Sequence, residues 1–324
     1  MVRGGPDFAC PGVDIIKPQV RVAVPIGTRA DEAVTMPIVK ELWKEPYFRV
    51  NVVRLDPSNP QASYHIMTGE MEATDLALCV ADRQEMYAAA HAAFDRNIPI
   101  AHVYAGIYNT VATKDDIARH AITLMSDIQF CESRAATERV NAMMRAVRLE
   151  PNAYTVGITH FDDVTPDYSL VPEGEYNLIL YNPVTRGTRE EVRATIEEEL
   201  YEAEWTHYTE RRFTILIGPN PDLEFSLGGL REKADLYYPS LPRPQFLGLV
   251  ANARVFITNS SAGIYEAPVL MKGEGQRVIP IGRRNKGRDK GPFEIGASRR
   301  IAVKLKEYAT SRFAERPEPV PGLH

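Results

Sequence analysis

Five clusters in this sequence combine residue types and spacings that can do chemistry. Gly27-Thr28-Arg29 follows an apolar run and precedes a helical one, so its backbone N–H groups and the arginine fork can hold a phosphate at a helix N-terminus. Glycine and threonine serve equally in plain turns and caps, and the segment is neither a GxGxxG nor a Walker turn, so it names no nucleotide. The stretch Thr258 to Pro268, TNSSAGIYEAP, offers hydroxyls at Ser260 and Ser261, an open backbone at Gly263 and free N–H groups, a set suited to a diphosphate. Glu266, one helical turn in, can accept from ribose hydroxyls; the competing reading is a serine N-cap with a capping-box glutamate. Asp82 closes LALCVA and opens a helix, either as an N-cap or as a carboxylate placed to act as general base. His102, Tyr104, Asn109, Asp115, Asp116, Arg119 and His120 crowd the region after IPIAHVY, where Asp116 and His120 can simply pair across one helical turn. Gly282 to Arg288, GRRNKGR, is a basic loop carrying Arg284 and Arg288 and suited to phosphate or nucleic acid.

These clusters need a scaffold that brings them together. Apolar runs at 21–26, 49–55, 76–80, 98–104 and 127–131 read as strands, separated by helical patterns of which 32–43, 83–95 and 116–125 are the clearest. Strands alternating with helices predict a parallel sheet covered on both faces. The pattern breaks over Pro151 to Glu175 and resumes with strands at 176–181, 213–218, 234–238 and 255–258 and an acidic helix over Arg189 to Tyr201. The reading is two doubly wound α/β domains, an N-terminal Rossmann-like one over 20–165 and a C-terminal Rossmann-like one over 166–298. A helix over 299–315 packs back on the first domain, and 316–324 is a tail. Ligands of such sheets bind beyond the carboxyl ends of the strands, where the polar clusters fall.

The chain of 324 residues is long enough for two cores, and its composition is that of a globular protein. A formal charge of −5 gives no global attraction to phosphate backbones, although arginine and lysine gather between Arg277 and Lys306. Three cysteines without metal spacing fit a reducing compartment. With no signal-peptide pattern and no long apolar run, the expectation is a cytoplasmic, soluble protein without membrane contact.

Together, IGTRADEAVTMPIVKEL, VADRQEMYAAAHAA, IPIAHVYAG, KDDIARHAITLMSDIQFC, LYNPVTRG, PNPD and ITNSSAGIYEAP with IGRRNKGR resemble the UDP-N-acetylglucosamine 2-epimerase family, above all its hydrolysing members. The segments occur in the family's order from residue 20 to about residue 290. The resemblance implies a GT-B fold with a UDP-sugar in the cleft, no metal or other cofactor, and dimers formed through the N-terminal domain. By position, Arg29, Ser260, Ser261 and Gly263 hold the diphosphate and Glu266 the ribose, with Arg284 or Arg288 near. Residues contacting uracil fall in loops around Pro242 to Phe246.

The catalytic positions depart from that pattern. Asp82 and Asp116 match family carboxylates, but Tyr104 and Ile107 stand where glutamates are found, and Asn182 replaces the histidine of HPVT. Asparagine cannot shuttle protons at neutral pH. The reading preferred on this ground is a glycosyltransferase in which Asp82 alone activates an acceptor hydroxyl, a hydroxylated base in DNA being one acceptor. The alternative is a hydrolysing 2-epimerase giving N-acetylmannosamine and UDP, with Asp82, Asp116 and His102 or Tyr104 sharing the proton transfers. A second alternative is a silent sugar-nucleotide-binding protein.

Overall fold

A computed structural model describes residues 20–108, 114–182, 189–210, 212–218, 227, 229–282, 285, 288, 290, 291 and 293–314. In chain order the elements are β1 (Val20–Ile26), α1 (Arg29–Trp43), β2 (Phe48–Arg54), α2 (Pro60–Glu70), β3 (Leu76–Val80), α3 (Gln84–Asp95), β4 (Ile100–Val103), α4 (Lys114–Met125), β5 (Ile128–Cys131), α5 (Arg134–Ala146) and β6 (Ala153–Thr155). There follow β7 (Tyr176–Leu180), α6 (Arg189–Glu210), β8 (Phe213–Ile217), α7 (Gly229–Lys233), β9 (Leu236–Tyr238), α8 (Arg243–Asn252), β10 (Val255–Thr258), α9 (Glu266–Leu270), β11 (Arg277–Pro280) and α10 (Ala297–Arg312).

Two parallel sheets result, ordered β2-β1-β3-β4-β5-β6 and β11-β10-β7-β8-β9. The fully buried runs LALCV and VFIT form central strands because both of their faces are covered. In each sheet the order reverses once, between β1 and β3 and between β7 and β10. Such reversals open a crevice at the strand ends. Gly27 and Asp82 flank the first crevice, and Asn182 and Ser260 flank the second.

Helix α10 returns to the first sheet, where Ile301, Leu305 and Ala309 pack with Ile38, Val39 and Leu42 of α1. Each fully buried aliphatic side chain of this kind contributes about 1.5–3 kcal/mol. Several elements escape the sequence reading: α2, α5, α8 and β6. Helix α5 keeps only Ala136, Val140 and Met144 buried among charged neighbours, and β6 has three residues inside the segment read as a break. Pro242 to Phe246, expected to be loop, caps and begins α8, because Pro242 and Pro244 suit a helix start.

The segment that leaves the first sheet is sewn to the start of α10. Ile158 N–H donates to Glu294 O at 2.8 Å. Asp162 accepts from the N–H groups of Gly296 and Ser298 at 2.6 and 2.8 Å. Gly157 makes the approach possible: its φ is +80°, and a Cβ there would overlap the backbone of Glu294. Gly157→Ala is therefore expected to lower the unfolding free energy by about 1–3 kcal/mol, measured by urea denaturation; an unchanged midpoint would contradict the close approach.

Candidate active site

Strands β3 and β4 both end in left-handed residues that are not glycine, Ala81 at φ +71° and Tyr104 at φ +64°. Such conformations cost of order 1–3 kcal/mol and persist where neighbours hold them. Here the holder is Arg119 of α4, buried apart from 3% of its side chain, which pairs through Nη2 with Asp82 and donates through Nη1 to Tyr104 O at 2.9 Å. Its Nε is buried without a partner. The carboxylate of Asp82 is thus aimed from the end of β3 by a guanidinium that also holds the end of β4.

His102 is not a proton carrier of this site. Its ring is fully buried between Thr123 Oγ1, 3.1 Å from Nδ1, and Ala81 O, 2.9 Å from Nε2. Burial pushes its pKa down to about 3. It braces the Ala81 turn as a neutral imidazole. Tyr104 is likewise turned inward: its phenol oxygen lies 2.9 Å from Thr159 Oγ1 and 3.3 Å from His160 Nδ1, and burial pushes its pKa further up. It does not replace the glutamate of the family pattern.

Asp116 is buried near the same point. No hydrogen bond joins it to His120, whose Nδ1 is buried without a partner. Burial and the nearby Arg119 lower the His120 pKa, and Asp116 partly offsets them.

On the opposite side, the backbone of Asn182 is tied to Asn259. Its N–H donates to Asn259 Oδ1 and its carbonyl accepts from Asn259 Nδ2, both at 2.8 Å, which staples β7 to β10. The serine turn holds fewer free donors than the sequence suggests. The N–H groups of Ser260, Ala262, Gly263 and Ile264 go to Thr258 Oγ1, Ser260 Oγ, Ser260 O and Ser261 O. Among the described residues, Ser261 N–H and hydroxyl have no protein partner. A single 3₁₀ turn and a five-residue helix follow, so a long helix dipole does not assist. Gly263 is required by packing, since a Cβ would lie 2.9 Å from Thr258 Cγ2 and 3.2 Å from Val278 Cγ1. Next to this turn a cavity of about 1010 Å³ opens toward Glu198, Glu199 and Glu202 of α6.

At the first crevice, Thr28 and Asp31 form a reciprocal capping box on α1, and a Cβ at Gly27 would overlap the buried carboxylate of Glu85. The turn thus carries capping and packing contacts of its own. The side chain of Arg29 and all of Arg284 lie outside the described residues.

Of four residues that meet at the junction, Glu132 and His160 had no role expected from sequence, Arg243 falls in the segment expected to contact uracil, and Arg288 was expected near the diphosphate. Glu132, directly after β5, accepts from Tyr265 Oη at 2.7 Å across the cleft. His160 stacks on Tyr265 with centroids 4.7 Å apart. Arg243 donates through Nη2 to Glu266 at 3.0 Å and to His160 O at 2.9 Å. Arg288 lies 5.9 Å over the Tyr265 ring. Burial opposes the Arg288 charge, but Tyr265, Asp82, Glu132 and Asp116 outweigh it and raise its pKa. Glu132 was findable, since inspecting the residue after every strand includes it. His160 sits in the segment read as a break.

A cleft between two Rossmann-like domains, with a serine turn on one side and carboxylates paired with arginines on the other, defines a GT-B-type nucleotide-sugar enzyme. The family model for UDP-N-acetylglucosamine 2-epimerase matches residues 67–312, and the chain belongs to that family. It is 28% identical over 282 residues to the Legionella pneumophila hydrolysing UDP-N,N'-diacetylbacillosamine 2-epimerase, covering 78% of this chain and 71% of that one. It is 26% identical over 232 residues to the Campylobacter jejuni GDP/UDP-N,N'-diacetylbacillosamine 2-epimerase, covering 66% of this chain and 58% of that one. In fold it is similar to the Neisseria meningitidis UDP-GlcNAc 2-epimerase bound to UDP-GlcNAc, with a TM-score of 0.68 at 13% identity over 89% of this chain and 100% of that one. A co-structure of S. aureus MnaA with UDP gives a TM-score of 0.70 at 15% identity over 93% and 100% of the two chains. The matching family and the Legionella and Campylobacter relatives are 2-epimerases, so the preference for sugar transfer, with DNA as one acceptor, gives way to its alternative. Among the described residues no helix is long and apolar enough to cross a membrane.

Two outcomes follow from this geometry. Arg119→Met leaves Asp82 and Tyr104 O without their buried partner, and urea denaturation is expected to show a loss of about 3–5 kcal/mol. Separately, burial lowers His102 to about 3 and His160 to about 4, against an ordinary 6.5. Below pH 6.5 the unfolded chain takes up protons that the folded one refuses, so stability is expected to fall with pH, by about 1.4 kcal/mol per unit for each group. The decline continues to about pH 4 for His160 and about pH 3 for His102. Denaturation midpoints that stay constant between pH 6.5 and 5 would refute the buried neutral imidazoles.

Proposed function

We propose that this protein is a hydrolysing 2-epimerase that converts a UDP-linked 2-acetamido sugar, such as UDP-N-acetylglucosamine, into UDP and the free 2-epimer, N-acetylmannosamine. The observation that carries the reading is Arg288. It comes from the nucleotide-side domain and lies on Tyr265, with Asp82, Asp116 and Glu132 of the other domain as its counter-charges. A departing diphosphate held at the serine turn would meet that guanidinium beside the carboxylates that handle protons on the sugar.

Ser261, with an unused N–H and hydroxyl, takes phosphate oxygens. Glu266, held by Arg243 through one oxygen, offers the other to ribose hydroxyls. Asp82, aimed by Arg119, is one proton-transfer group at C2. Elimination breaks the C1–O bond with the electron pair leaving on the diphosphate, while loss of the C2 proton forms a C1=C2 double bond. Water then returns hydroxyl to C1 and a proton to C2 on the opposite face. In this reading the chemistry uses no metal or other cofactor.

Incubation with UDP-N-acetylglucosamine in deuterated water is expected to release UDP and N-acetylmannosamine carrying deuterium at C2. UDP release only on addition of an acceptor would restore sugar transfer. Asp82→Asn is expected to lower kcat by about 10²–10⁴-fold while UDP affinity is retained. Ser261→Ala is expected to weaken UDP binding by about tenfold, measured calorimetrically, through loss of one charge-assisted hydrogen bond.

A further inference from the structure

The functional reading leaves a chemical gap. Epimerisation at C2 needs a proton removed from one face and delivered to the other, yet Asn182 and Tyr104 stand where the family pattern has a histidine and a glutamate. A half-buried imidazole at the domain junction is positioned to fill that gap. His160 lies against Tyr265, beside Glu266, Arg288, Arg243 and Asp162, between the serine turn and the carboxylates.

A hydrogen-bond chain determines which ring nitrogen carries the proton. Val34 O can only accept, so the Thr159 hydroxyl donates to it, at 2.7 Å. Thr159 Oγ1 has then used its single proton and accepts from the Tyr104 hydroxyl at 2.9 Å. The Tyr104 oxygen in turn accepts from Thr159 N–H at 3.1 Å and lies 3.3 Å from His160 Nδ1. With the phenol proton already committed, Nδ1 must be the donor. The imidazole is therefore the Nδ1–H tautomer with a lone pair on Nε2. Among the described residues that Nε2 has no hydrogen-bond partner, and the side chain is half-buried rather than sealed from solvent. Burial keeps the ring neutral, with a pKa down at about 4, which leaves the lone pair available at neutral pH. The carbonyl of the same residue is fixed by Arg243 at 2.9 Å, and the ring plane is fixed by the Tyr265 stack.

We infer that His160 is a catalytic residue of this enzyme, its Nε2 being the base that takes the C2 proton of the bound UDP-sugar. This rests on the 2-epimerase reading above. The C–H electron pair becomes the second bond of C1=C2, the C1–O pair leaves with UDP, and the proton passes from Nε2 to solvent before the water addition described above. Tyr104 then acts as a positioning residue: its phenol, anchored through Thr159 to a backbone carbonyl, holds the base in its tautomer. Asp82 remains as the partner for the return of a proton to C2.

The test compares wild type with His160→Gln on UDP-N-acetylglucosamine and on UDP-N,N'-diacetylbacillosamine in deuterated water, following UDP release and C2 deuteration, with UDP affinity measured calorimetrically. The expected result is a fall in kcat/KM of about 100-fold or more with UDP affinity unchanged. Full turnover by the variant would overturn the role of His160 and leave the functional reading intact. A wild type inert on both sugars would overturn that reading and this one with it. Should the variant not fold, ¹⁵N NMR of the wild-type imidazole decides. A protonated Nδ1 and a bare Nε2 whose resonance moves on adding UDP-sugar support the proposal, and a protonated Nε2 overturns it.

Discussion

The buried charge of Arg119 is the constraint around which the catalytic side is built. A guanidinium with 3% of its side chain exposed must be matched by a carboxylate and by carbonyl acceptors. Asp82 and Tyr104 O supply these, and both belong to strand ends bent into left-handed conformations. His102, beneath, ties off the carbonyl of Ala81. One helix thereby sets the direction of two adjacent strand ends, and the residues that look catalytic by type divide into Asp82, which reaches the cleft, and His102 and Tyr104, which hold it in place.

The second organising contact runs between the domains. Tyr265 follows the serine turn directly, yet its hydroxyl bonds Glu132 of the first sheet, its ring carries His160 on one contact and Phe293 on another, and Arg288 lies over it. A buried polar bond of this kind is worth little relative to water but is expensive to leave half made. It therefore favours one mutual arrangement of serine turn and carboxylates. Any ligand that moves the turn acts on Glu132 through a single side chain.

Much of the fold was legible because it follows from local pattern. Fully buried strands such as LALCV and VFIT are short apolar runs, and the capping box at Thr28 and Asp31 is a local motif. The site was legible as a set of strand-end clusters, since the reversal points of both sheets fall where the polar residues are. Helix α5 was not, because only a narrow stripe of it is buried. Strand β6 was not, because three residues carry no period. The roles within the clusters were read less well. Gly263 looks like a phosphate-binding glycine, but its neighbours across β10 and β11 explain it by packing.

The sequence by itself determined two parallel α/β domains, the membership suggested by seven ordered segments, and the departure at Asn182 and Tyr104. Those are properties of residue type and order along the chain. Only the tertiary structure decided which polar groups are already satisfied. The backbone of Asn182 is spent on Asn259, four of five N–H groups in the serine turn are spent within the turn, and His102 is spent on Ala81 and Thr123. It also brought His160, from a segment without pattern, against Tyr265 more than a hundred residues away. Hydrogen-bond capacity is finite, and how each group spends it depends on neighbours that sequence spacing does not reveal.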